Sequence, residues 1–145
     1  VLYRDNGVRV FMVPQNPIYW LPCNSVEEVI KFYSSRNRHR ERSRYEVLEM
    51  FGLDRFLDTN ICSLSVGLAR VLSIALAYIS GAELLLIDEP TLGLDCRSKT
   101  AVAEAISKLV ENGVSVVVAT HDIDFAKLFQ NVYTLDNGVL VEVEY

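Results

Sequence analysis

Apolar residues fall along this chain in two periods. From Ser25 to Ser34 and from Leu64 to Tyr78 they recur every three or four positions, as on one side of an amphipathic helix. Leu84–Ile87 and Val114–Ala119 are instead short continuous apolar runs, the kind carried by a parallel strand covered on both faces. Ser25 followed by Glu28 makes a capping box, so a helix is predicted over Val26–Ser34. A second helix is predicted over Tyr45–Phe51, with Gly52 as its stop. The most regular helical stretch runs from Ser65 to Ile79, with Leu64, Leu68, Val71, Leu72, Ala75 and Tyr78 on or near one face, and ends at Ser80 and Gly81. Another helix is expected from Arg97 to Glu111, closing on Asn112 and Gly113. Arg9–Val13 reads as a strand, after which Pro14, Pro17 and Pro22 keep the chain irregular. Val132–Leu135 and Val139–Val143 flank Asp136, Asn137 and Gly138, which signals a hairpin turn. The alternation predicts an α/β fold without internal repeats.

Composition narrows this picture. The chain has 145 residues, half of them apolar, which is about one domain with enough apolar surface for a core. No apolar stretch approaches the roughly 18 residues of a membrane-spanning helix, and no amino-terminal signal pattern is present. Cys23, Cys62 and Cys96 lack CxxC spacing and nearby histidine pairs, so neither a disulfide framework nor a zinc site is indicated. The net charge of −5 argues against a general nucleic-acid binder. Arg36–Arg44 nonetheless concentrates five arginines in nine residues, either as a solvated face or as a patch for anionic lipid or an acidic partner.

The chemistry centres on Glu83–Asp95. Asp88 and Glu89 emerge together at the end of the Leu84–Ile87 strand, and Pro90 ends the strand because it has no amide to donate. In open α/β sheets ligands sit at the carboxyl ends of the strands. Two acids there either simply terminate the strand or do chemistry.

Four motifs in order favour chemistry. MVPQNP at Met12–Pro17, LSVGL at Leu64–Leu68, ELLLIDEPTLGLD at Glu83–Asp95 and ATHD at Ala119–Asp122 resemble the Q-loop, signature, Walker B with D-loop, and H-switch of ATP-binding cassette (ABC) ATPases. The resemblance covers essentially the whole chain and implies a P-loop NTPase (RecA-like) parallel sheet core. Into that core a helical subdomain is inserted, and a β-hairpin follows at the carboxyl end. On this resemblance, residues 1–24 hold the Q-loop region, 25–62 the helical subdomain, and 63–145 the signature helix, Walker B, D-loop, H-switch and last strands.

The resemblance also assigns roles. Asp88 would hold magnesium, usually through water, and Glu89 would polarise the water that attacks the γ-phosphate of ATP. His121 would contact that phosphate and help orient the water. Gln15 would reach the magnesium ion or the water. Ser65 and Gly67, at a helix amino terminus that favours anions, would touch nucleotide bound to a second nucleotide-binding domain in a head-to-tail dimer, and Asp95 would cross the same interface. Each has a plainer reading: Ser65 as an N-cap, Asp95 as a turn residue, Gln15 and His121 as surface residues. Val66 and Leu68 depart from the family's glycine and glutamine, and a side chain at Val66 restricts close backbone approach.

Two glycines five positions apart followed by Lys and Ser or Thr would form a phosphate-binding P-loop, and none of the seven glycines meets this pattern. The chain therefore reads as the carboxyl-terminal part of a longer cassette ATPase. The leading expectation is the ATP-hydrolysing subunit of a transporter at the cytoplasmic face of the membrane, with transmembrane subunits as partners. QNP, SVEEV and THDIDFA resemble energy-coupling-factor and cobalt or nickel importer ATPases. A soluble cassette ATPase is the alternative, although about fifty residues between Gln15 and Leu64 leave no room for a long coiled coil. A non-catalytic interaction fragment is the third. Lacking the P-loop, the chain alone is expected to bind magnesium ATP weakly, and micromolar affinity in isothermal titration would refute that.

Overall fold

The computed structural model describes residues 2–5, 7–21, 24–35 and 44–143. The arginine run up to Ser43, together with Cys23 and His39, lies outside the described residues.

Four strands form the main sheet: β1 (Leu2–Asp5), β2 (Val8–Val13), β3 (Leu84–Asp88) and β4 (Ser115–Ala119), in the order β1-β2-β3-β4. β1 runs antiparallel to β2, while β2, β3 and β4 are parallel. The excursion from β2 to β3 carries α1 (Val26–Ser34), α2 (Arg44–Phe51) and α3 (Val66–Ile79), and the crossover from β3 to β4 is α4 (Cys96–Glu111). A short α5 (Ile123–Ala126) follows β4, and β5 (Val132–Asp136) and β6 (Val139–Val143) form a separate antiparallel hairpin.

The helix boundaries follow the end signals. Ser25 accepts the Glu28 amide at 3.3 Å, as a capping box requires. The reciprocal bond differs, since Glu28 Oε2 accepts the Asn24 amide at 3.0 Å, one residue before the cap. At the other ends, Leu53 N–H to Leu48 O, Ala82 N–H to Ala77 O and Val114 N–H to Leu109 O close Schellman motifs behind α2, α3 and α4. Each motif places a glycine in the left-handed region, with φ of +67°, +76° and +80° at Gly52, Gly81 and Gly113. The hairpin turns through Asn137 and Gly138, both with positive φ, as a two-residue type I′ turn demands.

The core is built around α3, which is buried at every position from Ala69 to Ile79. It packs on α1, α2, α4 and β2, so the inserted helices and the sheet share one core. Burying each Leu or Ile there stabilises by about 1.5–3 kcal/mol. Lys108 on α4 reaches across to the insert, donating to the Met50 carbonyl at 2.6 Å.

Two strand expectations need correction. β3 is not covered equally on both faces, and β4 is not a buried strand. Phe11, Leu85 and Val116 lie in one row and Val13, Ile87 and Val118 in the next, facing the helices. On the other face Leu84 and Leu86 are half-buried and Val117 is 57% exposed. The continuous apolar runs suggested two covered faces, but among the described residues β4 ends the sheet and has one neighbour. The hairpin likewise exposes Leu135, Val139 and Leu140.

The amino ends of α3 and α4 meet very closely. A Cβ at Gly67 would lie 2.8 Å from Ser98 Cβ and 2.9 Å from its Oγ, so only glycine fits. Gly67→Ala should therefore destabilise by about 1–3 kcal/mol through overpacking, and adding Ser98→Gly should restore most of the loss in chemical denaturation. An additive double variant would refute the contact.

Candidate active site

The parallel register brings β2, β3 and β4 to a common carboxyl edge. Val13 pairs with Ile87, and Asp88 pairs with Ala119. Three loops therefore leave side by side, carrying Gln15, then Asp88 and Glu89, then Thr120 and His121. Four of the sequence-predicted residues come together in this way.

Glu89 is the most constrained of them. Its amide donates to the Ala119 carbonyl at 2.8 Å, extending the ladder one step beyond β3. Its φ is then +45°, a conformation costly for a side chain with a Cβ. That turn folds the carboxylate back over the end of β4, where Oε1 accepts the His121 amide at 3.0 Å and Oε2 accepts the Thr120 hydroxyl at 3.4 Å. The Glu89 side chain is only 16% exposed, while the His121 ring is fully exposed with Nε2 3.6 Å from Oε1. Asp88 remains exposed. One carboxylate is thus locked by donors and its neighbour is open.

The donor set suits one hard cation. Among the described residues no three His, Cys, Asp or Glu side chains converge to cage a metal. Magnesium is held by one or two carboxylates together with water and phosphate oxygens. Asp88 could offer such a carboxylate, and the Gln15 amide, exposed on the adjoining loop, could offer a neutral oxygen.

Ser65, Gly67 and Asp95 form a second group, at the adjacent amino ends of α3 and α4. Ser65 is the N-cap of α3 and accepts the Leu68 amide at 3.2 Å. Asp95 is the N-cap of α4 and accepts the Ser98 amide at 2.7 Å. The Ser98 hydroxyl and amide hold the Asp95 carboxyl below the usual range. Both capping roles are present whatever else these residues do.

Three contributions escaped sequence reading. Thr120 donates to Glu89 and accepts the Asp122 amide at 3.0 Å, so one hydroxyl steers the loop in both directions. Asp122 caps α5 through the Phe125 amide, takes a bond from Thr91, and pairs with Lys99 Nζ at 2.6 Å. Lys99 is on α4, so this pair pins the loop bearing His121 to the segment after Glu89. The third is Arg70, whose Nη2 donates to the Gln15 carbonyl at 2.8 Å. A lone charge inside the apolar period of α3 was its visible signal. The Lys99–Asp122 pair spans 23 residues and had no local one.

The Lys99 contact, ahead of the Phe125 amide and Thr91, lowers the Asp122 pKa, and the same contact raises that of Lys99. A lowered carboxylate contributes stability above its unfolded value near 4, lost as pH falls through the folded value. A raised lysine contributes below about 10.4, lost as pH rises through the folded value. Asp122→Ala should remove the α5 cap at a cost of about 1 kcal/mol near neutral pH, or about 3 °C in Tm. The deficit should shrink at both pH extremes in thermal melts, and a pH-independent deficit would exclude the ion pair as its source.

Known proteins resemble this chain in sequence and in fold. A family model described as "AAA domain, putative AbiEii toxin, Type IV TA system" matches residues 24–125. A Bacillus subtilis ATP-binding protein named for HMP/thiamine import is 30% identical over 88% of this chain and 24% of its own length. Macrolide export ATP-binding/permease protein MacB 2 of Yersinia pestis is 33% identical over 79% of this chain and 17% of its own. Among solved structures, cbiO1 of Clostridium perfringens, part of the ABC transporter complex cbiONQ, superposes with a TM-score of 0.79 at 25% identity, covering 91% of this chain and 55% of that one. The ATP-binding cassette MJ0796, dimeric with ADP and Pi, shares the fold with a TM-score of 0.74 at 22% identity, over 99% of this chain and 72% of that one. The chain spans about a quarter or less of these two curated relatives.

Proposed function

Because this chain belongs to the AAA-domain family and to the ATP-binding cassette ATPases, we propose that it supplies the water-activating and magnesium-holding half of an ATPase site that drives a membrane transporter. The reading rests chiefly on Glu89, a shielded carboxylate held at positive φ and oriented by the His121 amide.

Bound magnesium ATP supplies the electrophilic phosphorus and a cation that neutralises charge developing on the phosphate oxygens. Asp88, open at the end of β3, would hold that ion. Glu89 accepts the proton of the attacking water, its oxygens already aimed by Thr120 and His121. The His121 ring, exposed at the same edge, orients the water and meets the terminal phosphate. Gln15 adds its amide from the neighbouring loop. The phosphate-cradling P-loop comes from a segment outside this sequence.

The second group acts in trans. In a head-to-tail pair with another nucleotide-binding domain, Ser65 and the free amides opening α3 face the partner's phosphate, while Asp95 lies in the interface. Val66 is 47% exposed at that helix end and weakens this half-site relative to a glycine. The transport partners are transmembrane subunits, in keeping with the import and export systems after which the relatives are named. The domain acts beside those subunits at the cytoplasmic face of the membrane, and no described helix is long and apolar enough to cross a membrane itself.

Glu89→Gln keeps the shape and one acceptor oxygen, which can still take the His121 amide, while its NH2 would have to donate to the Thr120 hydroxyl oxygen in place of accepting from it; the base is removed. With the phosphate-binding segment present, it should bind ATP normally and turn over at least about a hundredfold more slowly. Steady-state hydrolysis near the wild-type rate would refute the assignment.

A further inference from the structure

Arg70 is the side chain least explained by packing. It lies in α3 between Ala69 and Val71 and is 2% exposed. Its Nη2 has the Gln15 carbonyl, whereas Nε and Nη1 are buried without an acceptor. Taking a guanidinium out of water is costly unless its donors are matched, and an apolar residue of similar volume is often as stable or more so. A methionine would continue the apolar run of α3 without that cost. Burial lowers the Arg70 pKa, and the negative charges of Glu89 and then Asp88 oppose the shift. The Arg70 fork holds the main chain of the adjoining loop.

We infer that Arg70 is a positioning residue that holds the Gln15 loop at the sheet edge from which Asp88 and Glu89 emerge, and this rests on the ATPase reading above. With the loop seated, Nη2 is satisfied by the Gln15 carbonyl. If the loop withdraws, that donor joins Nε and Nη1 in being buried without an acceptor, so the cost of an unmatched guanidinium favours the seated loop. The planar fork suits this task because its donors point in several fixed directions, which a lysine ammonium does not reproduce.

The chain carries its own reporter. Trp20, its single tryptophan, ends the 3₁₀ turn Pro17–Trp20 directly after Gln15 and Asn16, and this turn packs on α3. Arg70→Met in the full chain should leave Tm unchanged or raised, yet raise the acrylamide quenching constant of Trp20 by about half as the loop loosens. In the complete ATPase it should lower kcat at least about tenfold, with KM for ATP nearly unchanged. Arg70→Lys should fall between wild type and Arg70→Met in both readouts, and it decides the matter if Arg70→Met fails to fold. Unchanged Trp20 quenching in a folded variant overturns the inference whatever kcat does, and so does wild-type kcat. Glu89→Gln run in parallel separates the readings: rapid hydrolysis by that variant removes the ATPase assignment, while the quenching result is judged independently.

Discussion

Everything in this molecule is arranged around the burial of α3. A helix apolar along most of its circumference is stable only if other elements surround it, and here α1, α2, α4 and β2 do so. That one requirement joins the inserted helices to the sheet. It also sets two functional distances, because the amino end of α3 opens beside the start of α4 and its second turn delivers Arg70 to the Gln15 loop. An insert with its own independent core would have no such mechanical link to the sheet edge.

The edge itself follows from parallel pairing. Parallel strands all end on the same side, so loops distant in sequence emerge as neighbours. Glu89 uses this arrangement with unusual economy of parts: one ladder bond to Ala119, one positive φ, and donors from the next strand's loop. Asp88, one residue earlier, keeps an ordinary strand conformation and stays open. Two adjacent acids therefore receive different surroundings, as the metal-holding and proton-accepting roles proposed for them require.

Much of this was legible from local chemistry. The capping serine at position 25, the glycines behind three helices, the Asn137–Gly138 turn and the four ordered motifs depend on neighbours within a few residues, and a linear sequence displays such neighbours. Strand burial was less legible: the apolar runs at Leu84–Ile87 and Val114–Ala119 reveal what the residues tolerate, not how many faces are covered. The dual duties of Ser65 and Asp95 as helix caps were visible as alternatives, and the hydrogen bonds establish the capping half.

The sequence alone determined the four longer helices to within about a residue, the α/β alternation and the identities of the two acids, because propensity, capping and hydrophobic period act over a turn or a strand. Tertiary structure alone decided that Glu89 bends back onto Thr120 and His121, that Lys99 pins Asp122, and that Arg70 holds the Gln15 carbonyl. Those contacts join residues 31, 32, 23 and 55 positions apart. Their partners are chosen by the register of the sheet and the seating of α3, which exist only once the chain has closed around its core.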